Sequence, residues 1–376
     1  NLGAALRRNA VAVASLGVAV GTMVAIAILV GSFRTTVVTW SRETIKADLF
    51  VRPLGPTDAS YDALLSAGAV ARIARVRGVA AADTFRAITI PLHGTLTNLA
   101  ATDIAAVVRR NKLQLLAGPD PQALARGMPG TDEALASEPF VTRFGLGTGA
   151  LVPIATPSGN VRLRIVGIYN DYSSDAGILL ISERTFARLF RDTNVNSVAI
   201  YAKPGIDLLD LRTRVIRAAL PARIDVVTTR ELRALVVEIF NRTFAVTYAL
   251  YVIALAIAVM GVVSTLFALV LERKREIGLL RYLGLARGGV RRMVLYEAAA
   301  IGGLGGLAGF LIGVPLALLL IDVINRQAFG WLIELHVPYG FLLQALALVV
   351  LAALAAGLYP AGIAARIRTA DAVRTE

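Results

Sequence analysis

Cysteine is absent from this 376-residue chain, which excludes disulfides, thiolate nucleophiles and cysteine-held metal clusters. Histidine is nearly absent. His93 and His336 stand far apart, and two isolated imidazoles do not make a zinc site. Charge is scarce, at 17% of residues, where soluble domains carry about 25%. No G-x-x-x-x-G-K-S/T run occurs, so the chain does not hydrolyse a nucleotide by itself. Apolar residues are plentiful: 56% of the chain is hydrophobic and the mean hydropathy is +0.66. That excess is too large for a bigger core to absorb, and it excludes both a plain cytosolic enzyme and a disordered chain. The net charge of +13 in so apolar a chain reports membrane orientation rather than a nucleic-acid partner.

The apolar residues are concentrated. Ala10–Phe33, Thr243–Leu271 and Val337–Ala365 carry no charge, and Met293–Ile321 carries only Glu297. Each is long enough to cross a bilayer, which takes about 20 residues, and longer than the apolar core of a signal peptide. Arg and Lys cluster at three flanks. Arg7 and Arg8 precede the first span; Arg273, Lys274, Arg275, Arg281, Arg287, Arg291 and Arg292 separate the second from the third; Arg366, Arg368 and Arg374 follow the fourth. The 322–336 loop has no such excess. Short cytoplasmic loops accumulate positive charge. Both termini and the 272–292 loop are therefore expected in the cytoplasm, with residues 35–240 and the 324–336 loop outside.

Residues 35–240 have ordinary soluble composition. Segments 47–52, 84–92, 150–155, 161–169, 177–181 and 196–202 alternate or run apolar with β-branched residues, as strands do. Segments 61–75, 182–191, 206–219 and 229–240 read as helices, with Ser182 as the N-cap of the second and Asp207 or the preceding Gly205 marking the start of the third. Residues 103–138 read as loop-rich, dividing an α+β domain into two sublobes. The last helix runs directly into the second apolar span. Three clusters suggest chemistry and are better explained without it. Gly145, Gly147 and Gly149 lack the Lys-Ser/Thr of a phosphate cradle and read as a turn. Asp171, Ser173, Ser174 and Asp175 read as a polar turn, and His93 as a surface residue.

Two patterns remain. Gly302, Gly305, Gly306, Gly309 and Gly313 put small residues at four-residue spacing along the third span, a face that lets membrane helices approach closely. It is expected to pack on the second span or on a partner module, with a bend allowed at Pro315. Glu297 is expected to pair with Arg291 or Arg292. In the 272–292 loop, Ile277, Leu280, Leu283 and Leu285 form an apolar stripe beside Glu272, Glu276 and the arginines, and Gly284 ends the helix. Nothing else in the chain is expected to cover that stripe. On charge alone, such a helix suits anionic headgroups as well as a protein.

The run ERKREIGLLRYLG, Glu272 to Gly284, resembles the coupling-helix signature of FtsX-like (MacB-type, type VII) ABC transporter permeases. Gly357-Leu-Tyr-Pro-Ala-Gly followed by a basic stretch to Arg374 is similar to that family's ending. INRQAFGW at 324–331 and the opening Leu6–Phe33 resemble the C-terminal module of longer, two-module members. Gly288-Gly289 departs from the polar pair usual in the turn, and Gly149-Ala150 from Gly-Asp.

The resemblance implies an α-helical membrane protein with four transmembrane helices and a large extracytoplasmic α+β domain, MacB-like, inserted between helices 1 and 2. Its parts are an N-terminal segment with helix 1 (1–34), the outer domain (35–240), helix 2 (241–271), the coupling loop (272–292), helix 3 (293–323), an external loop (324–336), and helix 4 with a cytoplasmic tail (337–376). It implies a bacterial inner membrane, no catalytic residues, no metal and no directly bound cofactor. ATP and Mg would sit on a MacB/LolD-like ATPase dimer that binds Glu272, Arg273, Arg275, Glu276, Leu280 and Gly284. Further implied partners are a second permease module or copy, a periplasmic lipid- or protein-binding protein, and membrane lipids. The work implied is export or envelope lipid and lipoprotein handling by transmitted motion. The alternatives are a scaffold regulating a cell-wall hydrolase and a membrane-anchored receptor without an ATPase.

Overall fold

The computed structural model describes residues 2–54, 63–110, 113–329, 332–337 and 339–366; the tail holding Arg368 and Arg374 lies outside the described residues. In chain order the elements are α1 (Leu2–Thr44), β1 (Leu49–Pro53), α2 (Ala67–Ala74), β2 (Val79–Leu92), β3 (Thr95–Thr102), α3 (Ile104–Arg110), β4 (Leu115–Ala117) and α4 (Pro121–Gly127). Then come β5 (Glu133–Ser137), α5 (Glu138–Phe144), β6 (Leu151–Thr156), β7 (Gly159–Tyr169), β8 (Ile178–Ser182), α6 (Glu183–Phe190), β9 (Ser197–Ala202), α7 (Leu208–Ala219) and β10 (Ile224–Thr228). The rest is helical: α8 (Thr229–Glu272), α9 (Lys274–Tyr282), α10 (Arg287–Leu318), a π-helical segment (Leu319–Asn325), α11 (Arg326–Phe329) and α12 (Tyr339–Arg366). These form two compact units, one of Asn1–Thr35, Asn241–Ile324 and Ile333–Glu376, the other of Thr36–Phe240 and Asn325–Leu332.

The first unit is a helical cluster. Its core takes Leu16, Val20, Val24 and Ile28 from α1, Val262 and Leu266 from α8, Ala298 and Ile301 from α10, and Val349 and Ala353 from α12. Leu304, Leu307 and Leu311 on α10, Leu343 and Leu351 on α12 and Met260 on α8 are exposed. Helices apolar both inside and outside suit a hydrocarbon solvent. Among the described residues, three segments are long and apolar enough to cross a membrane: Val13–Thr44, Arg287–Asn325 and Leu342–Arg366. The fourth expected span, Thr243–Leu271, lies on α8, where the apolar run found is the shorter Val259–Glu272. Several side chains between 240 and 258 lie outside the described residues.

The second unit is built on one 10-stranded sheet in the order β10-β1-β9-β2-β3-β8-β5-β7-β4, with β6 on β7. Most pairs are antiparallel; β3–β8 and β5–β7 are parallel. His93 and Gly94 turn β2 into β3 with φ of 49° and 77°, the left-handed pair a tight hairpin needs. At one end of the sheet, Leu49, Val51, Val198, Ile200 and Val226 pack under Ile73 of α2 and Leu211 and Val215 of α7. Toward the other end, β8 is buried on both faces. Leu179 and Ile181 of β8 enter one core with Phe140 and Phe186, while Ile178 and Leu180 enter another with Ile104, Leu124 and Met128. Side chains alternate across a strand, so a strand covered on both faces reads as an unbroken apolar run.

Ser182 and Asp207 cap α6 and α7 as expected, accepting from the backbone N–H of Thr185 and Leu209. The expected helix over 61–75 is shorter: Ser66 caps α2, Leu65 bridges to Val195, and residues 61–62 lie outside the described residues. Residues 103–138 are not a loop between two sublobes. They hold α3, β4, α4 and β5, and the sheet is continuous through β5.

Candidate functional site

The Arg-rich segment begins where α8 ends at Glu272. Arg273 (φ −87°, ψ 11°) breaks the helix without releasing its backbone: its N–H donates to Leu269 and its carbonyl accepts from Ile277. Its guanidinium pairs with Glu276 at 3.2 Å and with Glu297 of α10 at 2.9 Å. Glu297 thus pairs with Arg273, not with Arg291 or Arg292 as expected. The turn of chain at residue 273 brings its side chain back to α10, which sequence distance conceals.

The stripe on α9 is divided between two environments. Ile277 is 2% exposed and packs with Val270, Val290, Val294, Ala361 and Ala364. The chain therefore covers part of the face expected to be bare. Tyr282 and Leu283 remain 76% and 74% exposed, with Leu279 and Leu280 also open to solvent. Glu272, Arg275 and Glu276 lie on the exposed side, and Glu272 and Arg275 have interactions of their own. Gly284 (φ 100°) closes the helix: its N–H donates to Arg281 and that of Leu285 to Leu280. This paired pattern satisfies the last carbonyls and needs a left-handed residue. A Cβ on Gly289 would lie 2.8 Å from Leu285 Cδ1, whereas one on Gly288 meets nothing within 4 Å. Close approach of Leu285 accounts for Gly289; nothing in the structure explains Gly288.

Among the described residues, the α10 glycines form two faces, neither against α8. A Cβ on Gly305, Gly309 or Gly313 would lie 2.6, 2.5 or 2.7 Å from atoms of Leu16, Val20 or Gly21 on α1. One on Gly302 or Gly306 would meet Ala353 or Leu346 of α12 at 2.6 Å. The expected neighbour, the second span or a partner module, is replaced by the first and last helices of the same cluster. Residues at i and i+4 share a helix face, and two such series offset by one residue, about 100° around the axis, serve two neighbours. Pro315 lies inside α10, with the π-helical segment beginning at Leu319.

In the α+β unit, His93 is exposed, Gly145 and Gly149 adopt φ of 66° and 89° beyond α5, and Asp171 accepts from the Ser173 N–H and the Tyr169 hydroxyl. Among the described residues no group of three His, Asp or Glu could hold a metal. One polar contact had no sequence signal. Glu138, buried at the start of α5, accepts the Leu332 N–H at 2.9 Å, and the Tyr172 hydroxyl donates to the Leu332 carbonyl. Both backbone polar groups of Leu332 are thus held. Burial pushes the Glu138 carboxyl above its usual range, against the Leu332 bond and the charge of Arg326. Within the helical unit, His336 and Ser32 of α1 exchange two hydrogen bonds, N–H to Oγ at 2.9 Å and Oγ to carbonyl at 3.0 Å.

Residues 248–368 match the FtsX-like permease C-terminal family. Over 381 aligned residues, covering 100% of this chain and 44% of the relative, the chain is 31% identical to an uncharacterized ABC transporter permease protein of Mycobacterium tuberculosis. It is 24% identical over 232 residues, 57% of this chain and 35% of the relative, to a macrolide export ATP-binding/permease protein, MacB, of Bdellovibrio bacteriovorus. The chain spans under half the length of both. The periplasmic region of MacB from Actinobacillus actinomycetemcomitans aligns over 52% of this chain and 94% of its own, at 9% identity and a TM-score of 0.38. The chain is therefore homologous to ABC transporter permeases and carries an FtsX-like permease domain at its C-terminal side.

Proposed function

We propose that this FtsX-like ABC permease transmits ATP-driven motion from an ATPase outside these residues to its α+β domain, for export or for handling envelope lipids and lipoproteins. ATP and Mg sit on the ATPase, whose dimer also engages a second permease module or copy. The helices form four spans in a bacterial inner membrane, with both termini and residues 272–292 cytoplasmic and the α+β domain outside. Glu272, Arg273, Arg275, Glu276, Leu280 and Gly284 make the docking segment.

One observation carries this reading. α9 is anchored on one side by Ile277 and by the Arg273–Glu297 pair, while Leu279, Leu280, Tyr282 and Leu283 stay exposed. A helix fixed to the helical core along one side and bare along the other suits receiving a push. The scarcity of polar residues within the apolar stretches argues against a hydrophilic conduit. The test is Glu276→Lys and Leu280→Asp in the purified permease with its ATPase. Each is expected to leave the permease inserted and to lower ATPase retention and stimulation at least tenfold. Full retention by both variants contradicts the assignment.

A further inference from the structure

We propose that the α+β unit contains a binding site for a small organic ammonium ion, in a cavity on one face of its sheet. The inference goes beyond the transmission role and does not rest on it. The cavity measures about 330 Å³ and lies against β2, β3, β8 and β9, with Trp40 and Thr44 of α1 among its lining. That volume is within the range of small-ligand clefts, roughly 300–1,000 Å³.

Its chemistry is one-sided. The described lining residues include two carboxylates, Asp83 and Asp171, and no Lys, Arg or His. Rings come from Trp40, Phe50, Phe85, Tyr169 and Tyr201. Carboxylates attract a cation directly, and aromatic faces attract it through their quadrupole. An anion would gain neither. A hydrocarbon would gain nothing from the carboxylates.

Two residues of the lining carry a buried acceptor oxygen. Asp83 has a side chain only 10% exposed; Arg110 pairs with its Oδ1, and its Oδ2 has no hydrogen-bond partner among the described residues. Asn170 Oδ1 is likewise buried and unpartnered. Arg110 does not reverse the sign of the site. Its guanidinium is committed to Asp83 and to the face of Tyr201, 5.1 Å from the ring centroid. Gln114, which also lines the cavity, bonds to Glu43, so a third carboxylate stands behind the wall. Burial raises the Asp171 carboxyl against its bonds from Ser173 and Tyr169, and an adjacent cation favours its ionised form.

Trp40 reports occupancy. The chain has two tryptophans, so Trp331→Phe leaves Trp40 as the only fluorophore of its kind. The full chain in nanodiscs is titrated with benzylammonium, benzyl alcohol and benzoate, three probes of similar size and different charge. Benzylammonium is expected to change Trp40 emission saturably, with an affinity at least tenfold above the other two. Asp83→Asn is expected to weaken it at least tenfold. Ala199→Phe, which fills the cavity while keeping the Arg110–Asp83 pair, is expected to abolish it. Equal affinities for the three probes, tighter binding of benzoate, no saturation, or saturation unchanged by Ala199→Phe each overturn the proposal.

Discussion

Single residues at two positions decide how the chain is held together. Arg273 connects α9 to α10 through Glu297, with both side chains partly solvated. Exposed ion pairs contribute about 0–1 kcal/mol, so the pair matters more for orientation than for stability. Its partner could not be read from the sequence, because Arg291 and Arg292 are nearer along the chain. Glu138 acts in the other unit. Burial raises its carboxyl, with the Leu332 N–H and Arg326 opposing. A raised folded-state value means that folding favours the protonated form. The Glu138 contribution is therefore full below the ordinary carboxyl value of 4.5 and declines as pH rises through the higher folded-state value. Thermal unfolding of wild type and Glu138→Gln across that range is expected to show the variant losing this slope. Parallel curves contradict it.

Among the elements, α10 depends most on small residues. A leucine at Gly309 drives its side chain into Val20 and Gly21 of α1, while one at Gly303 meets open space. Overpacking costs about 1–3 kcal/mol, so Gly309→Leu is expected to lower the unfolding temperature in detergent and Gly303→Leu to leave it nearly unchanged. Equal effects reject the assigned packing. The four-residue spacing was legible in the sequence; which helix each face meets was not, because spacing fixes a face and not its neighbour. Strands show the same division. GILLI at 177–181 reads as a strand because both its faces are buried. Glu133–Ser137, Glu-Ala-Leu-Ala-Ser, is also a central strand but is composed of helix formers. Its pairing with β7 and β8 overrides that preference. The short elements α3, β4 and α4 were hidden for a related reason: each makes sense only against the sheet it packs on.

For the whole molecule, the proposed transmission needs covalent paths between its two units, and four exist. α1 and α8 are unbroken helices with residues in both. The third path is the π-helical segment, where Ile324 passes to Asn325, and the fourth is the loop around residues 332–336, with Leu332 held by Glu138 and Tyr172 and His336 held by Ser32. Combining Glu138→Ala with Tyr172→Phe is expected to speed amide exchange at Leu332 while leaving ATPase binding intact; protection equal to wild type contradicts the clamp. The central claim is that the open side of α9 meets an ATPase in the cytoplasm. Because the chain has no cysteine, single-cysteine variants can be read without background. The direct measurement is maleimide labelling of Leu283→Cys in sealed vesicles of known orientation, with and without the ATPase. The account predicts labelling from the cytoplasmic side only, lost when the ATPase binds, and no labelling of Ile277→Cys. Labelling of Leu283→Cys from the external side, or labelling unaffected by a bound ATPase, would contradict it.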